Sequence, residues 1–344
     1  MPVSSATNGP AARPPAMSDV AALAGVSHQT VSRVLNDHPS VLPATRQRVL
    51  DAIATLGYRR NLAARALVTR RSGTIGVLSS GSALFGPTST LIAVERAARD
   101  AGLFVSVATL PRWDAGDVAG VLEHFMREGV DGVVVVAAHD DAVEAVRVFV
   151  TRVPVVMVGP VDLPAPLRAV AVDQYVGGRQ AVRHLLELGH RHVTHLAGPT
   201  DWLDARRRIE GWRDELAAAG IDAGNPVRGD WSADRGYAVG HELVASGLPT
   251  AVFAANDQLA LGLLRAFAEA GVRVPSDVSV VGFDDVDGSA HFFPPLTTVR
   301  QDFTALGERC LEVLLGAIAG EETAPSGLIA PQLVVRASSG PPRA

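Results

Sequence analysis

Ser18-Asp19-Val20-Ala21-Ala22-Leu23-Ala24-Gly25-Val26-Ser27-His28-Gln29-Thr30-Val31-Ser32-Arg33-Val34-Leu35-Asn36 reads as two short helices divided by a tight turn. Ser18 is placed to cap the first helix, and Val20, Leu23 and Ala24 give it an apolar stripe at helical spacing. Gly25 supplies the left-handed residue that ends it. Ser27 caps the second helix, whose Val31, Val34 and Leu35 turn inward and whose His28, Gln29, Ser32 and Arg33 turn outward. A polar, Arg-bearing face at the start of a second helix suits a helix-turn-helix that reads a major groove. A plain αα-hairpin would show the same spacing, so the rest of the chain has to decide.

Working outward, a third helix is expected from about Pro43, with Val49, Ala52, Ile53 and Leu56 buried and Gly57 as its stop. The spacing thus predicts a compact head over 17–60. Asn61–Leu67 is rich in helix formers but only about two turns long, which is marginal alone in water. With Arg70, Arg71, Ser72 and Gly73 it reads as a tether, or as a hinge that becomes helical when docked. Residues 1–16 are rich in Pro, Ala and Ser and read as a disordered tail without the apolar run of a signal peptide.

The formal charge of the chain is −5, yet residues 1–71 hold nine Arg against three acidic residues. A basic head on an acidic body is the footprint of a nucleic-acid module joined to something else. There is no Lys, so cationic phosphate contacts fall to Arg, and the single Cys310 fits a reducing cytoplasm. No stretch is long and apolar enough to span a membrane.

From Thr74 short apolar strands alternate with amphipathic helices. Strands are expected at Thr74–Leu78, Phe104–Ala108, Gly132–Ala137, Val153–Val158, Val170–Val172, Val193–Ala197, Ala251–Ala254 and Val278–Phe283. Helices are expected at Ser89–Ala101, Val118–Glu128, Gly178–Leu188, Arg206–Ala218, Gln258–Ala270 and Ala305–Ala319. Continuous runs such as Val133–Val136 suit parallel strands buried on both faces. The fold class is therefore α/β: a three-helix head, then two doubly wound parallel-sheet lobes over 74–338, with ligand at the strands' carboxyl ends. Residues 339–344 read as a polar disordered tail, and no leucine heptads follow Arg336.

Residues between 17 and 338 resemble the lactose repressor family of bacterial transcription factors, which implies lobes of the periplasmic-binding-protein type. The resemblance is carried by Asp19-Val20-Ala21, Ala24-Gly25-Val26-Ser27, Gln29-Thr30-Val31-Ser32-Arg33-Val34, Gly229-Asp230-Trp231-Ser232-Ala233, Ala255-Asn256-Asp257-Gln258 and Pro294-Pro295-Leu296-Thr297-Thr298. It implies that His28, Gln29 and Arg33 read base edges, with Thr30, Ser32, Asn36 and Asn61 among the DNA contacts. Gln pairs well with adenine and Arg with guanine, so the chemistry agrees. His28 stands where the resemblance would put Tyr, and Leu42 where it would put a capping Ser. Leu67 matches a hinge leucine that wedges into a minor-groove base step.

The resemblance also implies a ligand pocket of Ser80, Asp140, Arg208, Trp231, Asn256, Asp284, Gln301 and Phe303. A guanidinium, amide or carboxylate spans neighbouring hydroxyls with paired hydrogen bonds, and an indole face packs on the C–H face of a pyranose. Asp204 and His139 depart from the pattern and make the pocket more polar. The implied function is a DNA-binding repressor acting as a cytoplasmic homodimer on double-stranded operator DNA, under control of a small sugar, a galactoside or related saccharide. The missing heptads predict a dimer rather than a tetramer. A plain sugar-binding receptor is the alternative class; it needs neither the basic head nor a missing signal peptide. No catalytic motif is present, so no enzyme and no cofactor are expected. His184, His190, His192 and His195 are spaced conceivably for zinc, but strand alternation separates His192 from His195 if the strand starts there, and no metal is expected.

Overall fold

The computed structural model describes residues 13, 15–59, 71–81, 84–110, 113–136, 143–146, 153–159, 167–321 and 327–343. Asn61, Leu67, most of the expected hinge, His139 and Asp140 lie outside the described residues, as does nearly all of the expected N-terminal tail. The chain divides into two compact units, Met1–Ser72 and Gly73–Ala344.

The first unit holds α1 (Met17–Ala24), α2 (His28–Leu35) and α3 (Pro43–Leu56). Helix α1 starts one residue before Ser18: Asp19 Oδ2 accepts the Ala16 N–H at 2.7 Å, so Asp19, not Ser18, closes this end. Leu23 is 54% exposed, and Ala21 takes the buried place expected for it. At about 100° per residue Leu23 lies on the flank opposite Ala21, and the helices close over the small side chain. Gly25 and Gly57 stop α1 and α3 at φ 64 and 61. Val20, Val31, Val34, Val49, Ala52 and Tyr58 form one core.

In the second unit the chain runs β1 (Thr74–Ser80), α4 (Phe85–Asp100), β2 (Phe104–Leu110), α5 (Ala115–Glu128), β3 (Gly132–Val136), β4 (Val155–Val158) and β5 (Arg168–Val172). It continues with α6 (Gln174–Glu187), β6 (Val193–Ala197), α7 (Leu203–Ala218), β7 (Val227–Arg228), α8 (Ala233–Ser246), β8 (Ala251–Ala254), α9 (Asp257–Glu269) and β9 (Ser279–Asp284). Then follow β10 (Thr297–Arg300), α10 (Phe303–Ala319), β11 (Gly327–Ile329) and β12 (Gln332–Val334).

Two six-stranded sheets result. Sheet 1 has the order β11-β5-β4-β3-β1-β2 and is parallel; sheet 2 has the order β12-β10-β9-β8-β6-β7, antiparallel only at β10–β12. In sheet 1 Val133 and Val135 join one buried cluster and Val134 and Val136 another, which is the double burial the Val runs require. The chain passes between lobes three times: from β5 into α6, from β10 into α10, and from β11 into β12.

Helix α8 and strands β7, β10, β11 and β12 go beyond the periodicity reading. The carboxyl-terminal run also differs from the disordered tail expected over 339–344. Ser338 is buried and its Oγ donates to the Val280 carbonyl at 2.6 Å; Ser339 Oγ bonds His184 Nε2 at 2.8 Å, and Gly340 N–H donates to Ser279 Oγ at 3.0 Å. The polar composition that suggested disorder instead satisfies backbone groups along β9, where Val280 N–H donates to the Ser338 carbonyl.

Candidate functional site

In the head, Ser27 Oγ accepts the Thr30 N–H at 3.1 Å and pairs with Thr30 Oγ1 at 2.9 Å, fixing the start of α2. His28, Gln29, Arg33 and Asn36 are exposed, while Thr30 and Ser32 are half-buried at the foot of the same face. Five of these side chains lie on one short helix, with Asn36 as its C-cap, and the other face of the helix is the Val31–Val34 core. Leu42 precedes α3 without a side-chain cap, and Pro43 at its first position removes one N–H that would otherwise need a partner.

In the body a cavity of about 550 Å³ lies at the carboxyl ends of both sheets. Ser80, Arg208, Trp231, Asn256, Asp284, Gln301 and Phe303 all line it; Asp140, the remaining expected member, lies outside the described residues. Arg208 is 3% exposed and sits with Cζ 3.8 Å from the Phe283 ring centre and 5.5 Å from that of Trp231. Its Nη1 donates to the Ala255 carbonyl, its Nε donates to Gln174 Oε1 at 2.9 Å, and its Nη2 is 3.8 Å from Asp284 Oδ1. Burial works against the Arg208 charge, and Asp284, Asp204 and Asp257 support it.

Asp284 ends β9 at φ 112, and Trp231 has φ 72; neither is glycine, so both hold strained backbone at the cavity wall. Burial pushes the Asp284 carboxyl up to about 7, opposed by Arg208 and reinforced by Asp257. Asn256 is largely committed to the scaffold. Its Oδ1 caps α9 through the Leu259 N–H at 2.8 Å, and its Nδ2 donates to the Trp231 carbonyl at 3.1 Å. Trp231 Nε1 is buried with no hydrogen-bond partner among the described residues. Gly198 permits this seating, because a Cβ there would fall inside the Trp231 ring.

Gln174 and Trp202 are cavity residues that sequence reasoning missed, and Asp204, noted there only as a departure, joins them. Trp202 meets Trp231 edge-to-face at 5.7 Å, as Phe85 meets Phe303 at 5.6 Å. Gln174 carried one signal: it follows directly on a buried strand, where a sheet's carboxyl end places ligands.

The histidines do other work. His190 bonds Thr250 Oγ1 at 3.0 Å and the Gly340 carbonyl at 2.9 Å. His195 stacks on Phe253 at 4.5 Å, with burial holding its pKa down to about 3. Strand β6 begins at Val193, so His192 lies outside it. Among the described residues no three His, Cys, Asp or Glu side chains are grouped to hold a metal ion.

Comparison with known proteins agrees with both halves. "Bacterial regulatory proteins, lacI family" matches residues 16–61, and "Periplasmic binding protein-like domain" matches 182–339. The chain is 36% identical over 326 residues to the lactose operon repressor of Escherichia coli K12, covering 94% of this chain and 90% of that protein.

The chain belongs to the lacI family of bacterial regulatory proteins.

It is a DNA-binding transcriptional repressor of that family and not an enzyme. A second relative of this lacI-family chain is the transcriptional regulator CelR of Thermobifida fusca, 37% identical over 92% of this chain and 96% of that protein. Among solved structures, a lac repressor dimer bound to operator and the anti-inducer ONPF superposes with TM-score 0.84 at 35% identity, covering 95% and 100% of the two chains. A CelR–cellobiose complex superposes with TM-score 0.70 at 35% identity, covering 94% and 99%. No helix among the described residues is long and apolar enough to cross a membrane.

Proposed function

We propose that this repressor holds a near-palindromic operator as a cytoplasmic homodimer and lets go when a small sugar occupies the cavity of its body. One observation carries the effector class. A cation, a carboxylate and an indole with an unpartnered buried N–H converge on a cavity of about 550 Å³, within the size range of pockets that enclose small organic ligands. Such a wall lacks partners that a polyol supplies, since an unsatisfied buried donor costs about 1–3 kcal/mol. Disaccharides are the natural size, and the lactose and cellobiose of the relatives' names set the first candidates.

In this reading residues 17–60 are the DNA-binding head, with His28, Gln29 and Arg33 on base edges. Residues 61–73 form a hinge that orders on DNA, with Asn61 on the nucleic acid and Leu67 as its wedge, and 74–338 bind effector and dimerise. Effector changes the spacing of the paired hinges, and the cost of ordering them then favours release.

Selection of bound duplexes from a random pool, followed by release with a panel of mono- and disaccharides, tests this. Enrichment of a palindrome that a sugar dissociates is the expected result. A palindrome that no sugar releases removes the effector class, and no enrichment at all removes the operator. Sedimentation equilibrium at micromolar concentration separates the expected dimer from a tetramer.

A further inference from the structure

Gln174 opens α6 on the first passage between lobes, and Gln301 stands on the second, just after β10. The two meet in the cavity wall: Gln174 Nε2 donates to Gln301 Oε1 at 2.9 Å. Gln174 Oε1 accepts from Arg208 Nε at 2.9 Å, and Gln301 Nε2 donates to Asp284 Oδ1 at 2.7 Å. Arg208 Nη2, 3.8 Å from that same carboxylate oxygen, closes the figure. All four residues are buried, none more than 7% exposed. Beside them the third passage is tied to the first, for Asp173 N–H donates to the Ile329 carbonyl at 2.9 Å.

The chemistry fixes the direction of this ring. A guanidinium only donates, so Gln174 must turn its oxygen to Arg208 and its NH2 onward. Gln301 must then accept with its oxygen and donate with its NH2 to Asp284 Oδ1. Each amide orientation is dictated by the one before it, and a chain of donors that starts at a cation strengthens itself link by link.

We propose that Gln174 is the positioning residue of a latch, the ring Arg208–Gln174–Gln301–Asp284, which holds two of the three interlobe passages in one arrangement and is opened when a polyhydroxylated ligand takes over the bonds of Arg208 or Asp284. The ligand half of this statement rests on the sugar reading given above; the latch stands without it. Ligand contacts and lobe orientation then share the same four side chains, so a bond made to the effector is a bond lost to the hinge.

The test uses the full-length protein without any ligand. Spin labels on Glu123→Cys in α5 and Ala245→Cys in α8, both exposed positions, report the distance between lobes while Cys310 stays buried. In dimers with one labelled protomer the wild type is expected to give one dominant distance. Gln174→Met, which keeps the side chain's length and removes both bonds, is expected to raise a second population roughly tenfold. Gln301→Met should do the same, and the double variant should add nothing further, because a ring cut once is open. Gln174→Glu retains the acceptor for Arg208 and loses the donor to Gln301, so it should also show the second population and serves if the Met variant does not fold. Distances unchanged from wild type, with only a lower melting temperature, overturn the latch, as does additive change in the double variant. Loss of sugar response in the wild type bears on the effector reading alone.

Discussion

Where sheet 1 ends at the cavity, the lining residues are Ser80, Val136, Val158 and Val172, with Phe85, Phe303 and Leu306 beside them. Where sheet 2 ends, they are Trp231, Asn256 and Asp284, with Arg208 behind. The two halves share a winding plan and differ in chemistry. Among the described residues, the charges and the strained φ angles of the cavity belong to the second lobe, and the first presents apolar side chains and the hydroxyl residues Ser80, Thr88, Ser89 and Thr90. A buried guanidinium and carboxylate survive only inside a tightly packed frame, because desolvation of either is costly when the partner moves. Sheet 2 supplies that frame, with Phe253, Phe267, Phe283 and Trp212 fully buried. The lesson is a division of labour: one lobe carries the charges of the cavity, the other covers them.

The largest expected effect comes from cutting the charged half at its centre. Arg208→Met should destabilise the body by about 1–3 kcal/mol for each buried acceptor it strands, the Ala255 carbonyl and Gln174 Oε1. Chemical denaturation followed by tryptophan fluorescence measures it; a loss below about 1 kcal/mol would mean Arg208 is not what organises this lobe. Asp284→Asn should weaken binding of the operator-releasing sugar about ten- to a hundredfold, the equivalent of roughly 1.5–3 kcal/mol, as titration calorimetry would show.

The same carboxyl predicts a pH slope. Its folded pKa, about 7, lies above the usual carboxylate value of 3.8, so the fold favours the protonated form. The stability it contributes is fully present below about pH 4 and is lost as pH rises through 7. Asp257, pushed up to about 6 by burial, acts in the same sense. His195, held down to about 3, acts in the opposite sense, so the test is the difference between proteins: Asp284→Asn should shift the slope of stability against pH upward by about one proton, at most about 1.4 kcal/mol per pH unit. An identical slope in the variant would place the titration elsewhere.

The smallest effect tests the covering half. Phe303→Ala removes the edge-to-face partner of Phe85 and should cost about 0.5–1.5 kcal/mol beyond lost burial. Sugar affinity should suffer less than in Asp284→Asn. A larger affinity loss in Phe303→Ala would reverse the assignment of roles between lobes.

Much of this was legible in the chain, and the exceptions have physical reasons. The three head helices and eight expected strands stand out because their apolar residues repeat at helical spacing or run unbroken. Helix α8 did not, since its packing rests on Gly236 and Gly240, where an added Cβ would meet Leu259 and Ala266 of α9. A face built from absent side chains leaves no apolar stripe to count. Strand β10 is marked by Thr297 and Thr298, hydroxyl residues that are buried because Ser338, Ser339 and Asp257 bond them. At the cavity the resemblance supplied single residues, and seven of them line one space. Gln174 escaped because its role is relational, set by partners at 208 and 301 that no local pattern joins to it.

The three passages between lobes also decide what a genetic cut can separate. The head is joined to the body by one connection near Ser72, so a single junction there would transplant it onto another family member. Neither lobe is a continuous segment: sheet 1 is begun by β1, left at β5, and finished by β11 only after the parallel strands of sheet 2 have been laid down. Exchanging one lobe between relatives therefore takes three junctions at once, two of them beside Gln174 and Gln301. Recombination at the single junction re-pairs whole heads with whole bodies in this architecture, whereas a cavity half cannot be exchanged alone by one cut.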